Sequence, residues 1–343
     1  MLDWLVITAD RTGVGRGVRG YTLAWFLQTY FGRRAVAHCT PDQWRASRPR
    51  ADTLFVGLPS SLTADDIERL ASSGRCRRVV AFDYLDQQPL QWSADQEAAL
   101  RRLTDQYLKP WYEAAWDYDL RMGLLPIRTS RRLTAAILAS RCAPRIRRRP
   151  EPLYDVAFLG QPNTTSVWKA GQIVSIDQRF NWLREIRSEA PQLKFWGGLM
   201  GGSDETTARL RQLHGDVSHL YHPTGKVNFW TYFRALRRSR VLLAPGGNAP
   251  WSYRHYEGLY AGGVVVTIDY RRRDMLVPLP CENMVHVPDD APVLPAVWQA
   301  LAMSRQRPSL GEENFAWLQR YLRFGAYSRR RPALMERFLA QLE

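Results

Sequence analysis

Residues 241–269, VLLAPGGNAPWSYRHYEGLYAGGVVVTID, decide the fold. Two short apolar runs, VLLAP at 241–245 and VVVTID at 264–269, have the length and composition of buried strands. Residues 251–262 between them are spaced as a helix, so the unit is strand–helix–strand, the building block of a parallel sheet. Gly246 and Gly247 permit close backbone approach after the first strand, Pro250 suits a first helical turn, and Gly262 and Gly263 permit a tight return. The start of such a helix presents unpaired N–H groups and the positive end of its dipole, which together favour an anion. Arg254 falls in the first turn, and Glu257, three residues on, shares its face. A carboxylate there suits two adjacent hydroxyls, such as those of a ribose. The stretch reads as a diphosphate site followed by a sugar-diol site; its plainer alternative is an ordinary strand–helix–strand unit with a solvated Arg–Glu pair.

The same alternation extends in both directions. Upstream, strands are expected at 4–9, 34–39, 52–58 and 77–83, with helices at 20–31 and 63–71 (Thr63 as cap) and an aromatic-rich helix over 95–119. Residues 141–152, RCAPRIRRRPEP, break this pattern with three prolines among arginines, and the domain boundary is placed there. Downstream, 154–160 and 193–198 read as strands, 178–190 and 231–240 as helices, and 312–342 as mainly helical. The expectation is an α/β chain of two Rossmann-like domains, 1–150 and 151–343. Ligands of open parallel sheets sit at the carboxyl ends of strands, which puts the working site in a cleft between the two.

Composition narrows the class. The 343 residues are 45% hydrophobic and 24% charged, as in ordinary globular chains. No apolar run approaches the roughly 20 residues of a membrane helix, and the N-terminus lacks the pattern of a signal peptide. The four cysteines lie far apart without metal-ligand spacing, so a reducing, cytoplasmic setting is expected, with a peripheral place at the inner membrane face as an option. The net charge is +15, and 44 of the 48 basic residues are Arg. Arg stays charged and forks onto phosphate, which points to an anionic partner.

The run from Pro245-Gly246-Gly247 through Ser252, Arg254 and Glu257 to Gly262-Gly263 and Val264–Val266 resembles the donor-binding signature of exostosin-like and spore-coat-type GT-B glycosyltransferases. The likeness is sharp over about 30 residues and looser over 154–342, where the strand ending in Gly160, the helix containing Arg179 and the Gly225-Lys226-Val227 loop follow in the expected order. The resemblance implies a GT-B fold, two Rossmann-like domains facing across a cleft with the C-terminal helix packing back on the first. It also implies a nucleotide-diphosphate sugar bound by the second domain. Carried over by position, Ser252 and Arg254 contact the diphosphate and Glu257 the ribose. Gly160, Gly246 and Gly247 line the donor site, and Lys226 is a further phosphate candidate or an exposed loop lysine.

Many retaining members carry a second glutamate eight positions before the ribose ligand; here position 249 is Ala, which favours inversion. Inversion needs a base for the acceptor proton. Asp83, ending the strand VVAFD, is the first candidate, supported by a distant similarity in layout to a base-modifying phage DNA glucosyltransferase; Asp10 and Asp86 are alternates. His38, at another strand end, reads as a packed core residue. No acidic metal cluster is evident, so no metal and no cofactor beyond the nucleotide-sugar co-substrate is expected. The loop DRTGVGRGVRG at 10–20 contains G-x-G-x-x-G but lacks the acid a dinucleotide site needs after the second strand. Gly13, Gly15 and Arg16 are instead assigned to acceptor or phosphate approach, the alternative being a plain Gly-rich turn. The aromatics and arginines of 107–132 and 141–149 suit a glycan or lipid-linked acceptor, an anionic membrane surface, or nucleic acid, the alternative being a core segment and a solvated linker. The leading expectation is a metal-independent glycosyltransferase acting on an envelope glycan or lipid-linked acceptor. The others are a DNA-modifying glycosyltransferase and an inactive nucleotide-sugar or nucleic-acid binding module.

Overall fold

Short β-branched runs punctuated by helix caps become parallel strands throughout the chain. The structure is a computed structural model that describes residues 2–8, 19–58, 62–84, 92–113, 119–126, 149–169, 172–201, 204–225, 227–247, 252–271, 273–288, 291–321 and 333–343. It divides into two units. The first comprises Met1–Arg128 with Arg272–Pro278 and Tyr321–Glu343, the second Thr129–Arg271 with Leu279–Arg320.

The first unit begins β1 (Leu2–Ile7), α1 (Arg19–Phe31), β2 (Val36–Cys39), α2 (Pro41–Ser47), β3 (Ala51–Leu58), α3 (Ala64–Ser72) and β4 (Arg78–Asp83). It continues α4 (Ala94–Leu103), β5 (Gln106–Lys109), β6 (Trp111–Glu113) and β7 (Arg121–Leu124). Thr40, Thr63 and Ser93 each accept the N3 backbone N–H of the helix they open, while the N3 side chain (Gln43, Asp66, Gln96) returns to the cap N–H. These reciprocal caps fix where each strand gives way to helix. The sheet order is β2-β1-β3-β4-β5-β7, every adjacent pair parallel. The helix expected over 95–119 ends instead at Thr104, whose backbone is extended (φ −146°). Residues 106–109 are fully buried and pair as a strand with β4 on one side and β7 on the other.

The second unit holds β8 (Tyr154–Gly160), the antiparallel hairpin β9 (Thr165–Lys169) and β10 (Gln172–Ile176), α5 (Gln178–Glu189), β11 (Phe195–Leu199) and α6 (Asp204–His214). It continues α7 (Phe229–Arg237), β12 (Ser239–Ala244), α8 (Tyr253–Ala261) and β13 (Val264–Ile268). After β14 (Arg273–Met275), which belongs to the first unit and pairs there with β6, come β15 (Met284–Val287), α9 (Leu294–Gln306) and α10 (Leu310–Tyr321). The sheet order is β11-β8-β12-β13-β15, again all parallel. All five residues of β13 are buried, as expected of a strand covered on both faces. Arg149, the last of the arginine run, is not a surface cation. It donates to the carbonyls of Gly262 (2.7 Å), Arg237 (3.2 Å) and Ser239, tying down the exposed carbonyls where α7 and α8 end.

The chain then returns. Helix α11 (Ala333–Ala340) belongs to the first unit, where Phe338 packs edge-on against Phe26 (5.4 Å between ring centres) and beside Phe55 (6.4 Å). The Gln341 side chain donates to Leu124 O (2.6 Å) and accepts from Leu124 N (2.7 Å), completing the free side of β7. Two Rossmann-like units, each with an all-parallel main sheet, and a C-terminal helix packed within the first agree with the fold class expected from the sequence. No helix among the described residues is long and apolar enough to cross a membrane.

Phe338 is fully buried, so its truncation leaves a cavity. Phe338→Ala is expected to destabilise the first unit by about 3–5 kcal/mol, read as a lower denaturant midpoint. An unchanged midpoint would show that α11 is not an integral part of that unit.

Candidate functional site

In the second sheet the strand order reverses between β8 and β12: the chain leaves β8 toward β11 and leaves β12 toward β13. The carboxyl ends of these two strands form the switch point where open α/β sheets bind ligands. The residues gathered there are mainly cations and hydrogen-bond donors. Arg254, in the first turn of α8, donates from Nε (3.0 Å) and Nη2 (2.9 Å) to the carbonyl of Leu159 in β8, with its guanidinium 5.4 Å from the centre of the Phe158 ring. A Cβ on Gly160 would lie 2.5 Å from Arg254 Nη2 and 2.9 Å from the Phe158 ring, so β8 must end in glycine for this guanidinium to lie flat. Arg179, in the first turn of α5, donates from Nε to Gly246 O (2.7 Å) and from Nη1 to Gln161 O (2.9 Å). Burial and then the neighbouring Arg254 charge lower its guanidinium pKa to about 9, which still leaves it charged at neutral pH. Both cations are anchored on neutral carbonyls, and among the described residues neither forms an ion pair. Two desolvated like charges held side by side are unfavourable until an anion joins them.

Uncommitted donors surround them. Gly246 N donates to Gln178 Oε1 (2.8 Å), and a Cβ on Gly246 would come within 2.4 Å of the Thr165 methyl group. Gln178 Nε2, Thr165 Oγ1 and Ser252 Oγ are buried without a hydrogen-bond partner among the described residues. Groups buried this way in native proteins are usually satisfied by something else, a water or a ligand. The adjoining Gly247 is buried as well.

Ser252 is the N-cap of α8, which therefore starts two residues later than the spacing predicts; Pro250 lies outside the described residues. The cap is held by His255 rather than by the Ser252 hydroxyl. His255 Nδ1 accepts from Ser252 N (3.0 Å), and Nε2 lies 2.7 Å from Thr267 Oγ1. Because the Thr267 hydroxyl donates to Ala244 O (3.0 Å), it accepts from Nε2, which assigns the proton to that nitrogen. Burial lowers the His255 pKa to about 4, keeping the ring neutral. One histidine thus locks the first turn of α8 to the ends of β12 and β13, and Arg254 is aimed from that locked turn.

Glu257 lies a turn deeper and is 8% exposed. Its Oε2 accepts from the Tyr232 hydroxyl of α7 at 3.0 Å. Burial raises its pKa, opposed by that hydrogen bond and by Arg254. The Tyr232 ring continues outward to Trp196 in β11 (6.3 Å), which in turn meets His222 (5.7 Å).

The structure thus brings together Gly160, Gly246, Gly247, Ser252, Arg254 and Glu257. Lys226, Asp10, Gly13, Gly15, Arg16 and Asp86 lie outside the described residues, as do Arg128, Arg131, Arg132 and the arginines at 141–148. Asp83 departs from expectation. It is fully buried, accepts from Lys109 Nζ at 2.8 and 2.7 Å and from the Tyr107 hydroxyl at 2.8 Å, and forms a buried ion pair with Lys109. With no exposed surface, this carboxylate has its oxygens committed to Lys109 and Tyr107 within the first unit. Among the described residues no group of three His, Cys, Asp or Glu side chains could hold a metal ion.

Sequence reasoning did not single out Arg179, Gln178, Thr165 or Tyr232 as site residues. The available signal for the first two was a Gln-Arg pair opening the helix after the β8 loop, a position that faces the strand ends. Thr165 and Tyr232 carry no local signature.

No family profile matches the sequence, and no curated protein matches it. Solved structures do. The chain is similar to the OtsA apo structure, with a TM-score of 0.49 and 13% identity over 87% of this chain and 79% of that one. It is similar to sucrose-phosphate synthase from Thermosynechococcus elongatus (TM-score 0.46, 13% identity, 78% and 69% covered). It is also similar to S. aureus TarM solved in complex with UDP (TM-score 0.45, 7% identity, 87% and 57% covered). At these scores and identities the likenesses carry no functional residue over to this chain.

The His255 lock has a pH signature. Its folded-state pKa lies below the unfolded value of 6.5, so its stabilising effect is complete above pH 6.5 and is lost as pH falls toward about 4. Between pH 6.5 and 5 this loss is on the order of 2 kcal/mol. His255→Gln, which cannot titrate there, is expected to flatten the pH dependence of the denaturation midpoint by that amount; an unchanged slope would contradict the neutral, buried ring.

Proposed function

We propose that this protein is a glycosyltransferase that moves a sugar from a nucleotide-diphosphate donor to an acceptor hydroxyl. The observation that carries the reading is the pair Arg179 and Arg254, two guanidiniums fixed on backbone carbonyls around Gly160 and Gln161 with no ion pair to a carboxylate among the described residues. A diphosphate supplies the missing charge, and the start of α8 adds its dipole. Glu257, one turn deeper, has Oε1 left for a ribose hydroxyl while Tyr232 holds Oε2.

In the transfer, the acceptor oxygen forms a bond to the anomeric carbon as the bond from that carbon to the diphosphate breaks. The bonding pair leaves with the diphosphate, and the acceptor proton passes to a base. The arginines stand where the new charge develops, so side chains rather than a metal ion carry it in this reading. Ala249, in place of the earlier glutamate of retaining relatives, supports inversion by direct displacement. With Asp83 committed to Lys109, the base falls to Asp10, which follows β1 in the sequence.

Incubation of the purified protein with a panel of nucleotide sugars and acceptors, reading release of nucleoside diphosphate, tests this. Arg254→Met is expected to lower turnover by roughly 10²- to 10³-fold. Glu257→Ala is expected to erase the preference for a ribo- over a 2′-deoxyribonucleotide. Failure of every nucleoside diphosphate to bind the wild type would overturn the proposal. Asp10→Asn is expected to lower transfer by roughly 10²- to 10⁴-fold with donor affinity unchanged; full transfer by this variant would remove Asp10 from the proton step.

A further inference from the structure

Beside Glu257 lies a group of rings that the anion and diol sites do not use. Tyr232 donates its hydroxyl to Glu257 Oε2 (3.0 Å), and its ring lies 6.3 Å from that of Trp196 at 38°. Trp196 lies 5.7 Å from His222 at 58°. All three side chains are half-buried, with part of their surface open to solvent. The Trp196 indole N–H has no acceptor among the described residues.

The backbone is shaped to bring these rings together. Gly197 and Gly198, directly after Trp196, have φ of +100° and +151°. A Cβ on Gly197 would fall 1.8 Å from Phe158 O, so glycine is needed for β11 to lie against β8; one on Gly198 would fall 2.6 Å from Leu220 O, so glycine there lets the 220–222 segment close on β11. His222 N then donates to Leu199 O (2.8 Å), and Thr224 Oγ1 lies 2.9 Å from His222 Nδ1, which fixes the ring beside the indole. Half-open aromatic rings contribute less to folding than fully buried ones. Rigid, flat and partly solvated, they suit a planar ligand with polar edges.

We propose that Trp196, His222 and Tyr232 form the seat of the donor's nucleobase. This inference rests on the reading of Arg179, Arg254 and Glu257 as diphosphate and ribose ligands. The order of groups along the protein, guanidinium pair, carboxylate, tyrosine and indole, follows the order diphosphate, ribose and base along a nucleotide. The shelf therefore selects an activated donor carrying an aromatic base over a lipid-phosphate or plain phosphate sugar.

The test is calorimetric binding of UDP, GDP and inorganic pyrophosphate to the wild type, Trp196→Ala, Trp196→Phe and His222→Ala. Trp196→Ala is expected to weaken the better-binding nucleotide about 10- to 100-fold, the range for loss of one base–aromatic stack. Pyrophosphate binding should not change, and Trp196→Phe should restore most of the nucleotide affinity. Equal nucleotide affinity in the wild type and Trp196→Ala, with pyrophosphate still bound, overturns the shelf and leaves the anion site standing. Absence of both nucleotide and pyrophosphate binding in the wild type overturns the anion site and the shelf with it. If Trp196→Ala fails to fold, Trp196→Phe and His222→Ala decide: nucleotide affinity at the wild-type level in both overturns the shelf, and a selective loss in His222→Ala supports it.

Discussion

The second unit is organised around two positive charges for which no described residue forms an ion pair. Arg179 and Arg254 reach the switch point from different helices, each anchored by a pair of hydrogen bonds to backbone carbonyls. Much of the surrounding architecture serves that placement. Gly160 leaves room for one guanidinium, Gly246 turns its carbonyl to the other, and His255 fixes the helix turn from which Arg254 projects. Partial neutralisation by carbonyl dipoles is sufficient to fold the chain and insufficient to satisfy the charges. That imbalance is the physical basis for assigning an anionic ligand to this end of the sheet.

The buried charges Asp83 and Lys109 of the first unit show the opposite pattern. Asp83 and Lys109 are both fully buried and satisfy each other, with the Tyr107 hydroxyl taking a further position on the carboxylate. Each charge has its partner inside the protein, so nothing is left to recruit a substrate. The same residue type at the same topological position, the carboxyl end of a parallel strand, has a different meaning once its neighbours are known. Arg149 makes the point for cations: buried among carbonyls at two helix ends, it belongs to the packing of the fold.

How much of this was legible depends on the distance between partners along the chain. The strand–helix–strand at 241–269, with Arg254 and Glu257 on one helix, is local and could be read directly. The pairing of Arg254 with Leu159 spans 95 residues and requires the adjacency of β8 and β12, so Arg179 remained part of a helix rather than of a site. The unforeseen Asp83–Lys109 pair and the misplaced helix over 95–119 share one cause. Read as helix, Lys109 points nowhere in particular; as the end of β5, next to β4, it meets Asp83. Trp196 likewise reads as an ordinary apolar residue in a strand until Gly198, two residues on, is seen to let His222 come alongside.

The account stands on an anion bridging Arg179 and Arg254, and a crystal structure with a bound nucleoside diphosphate tests it most directly. The prediction is a terminal phosphate within hydrogen-bond distance of both guanidiniums above Gly160, with a ribose hydroxyl on Glu257. A nucleotide bound elsewhere in the chain, with those two guanidiniums still resting on carbonyls alone, would contradict it.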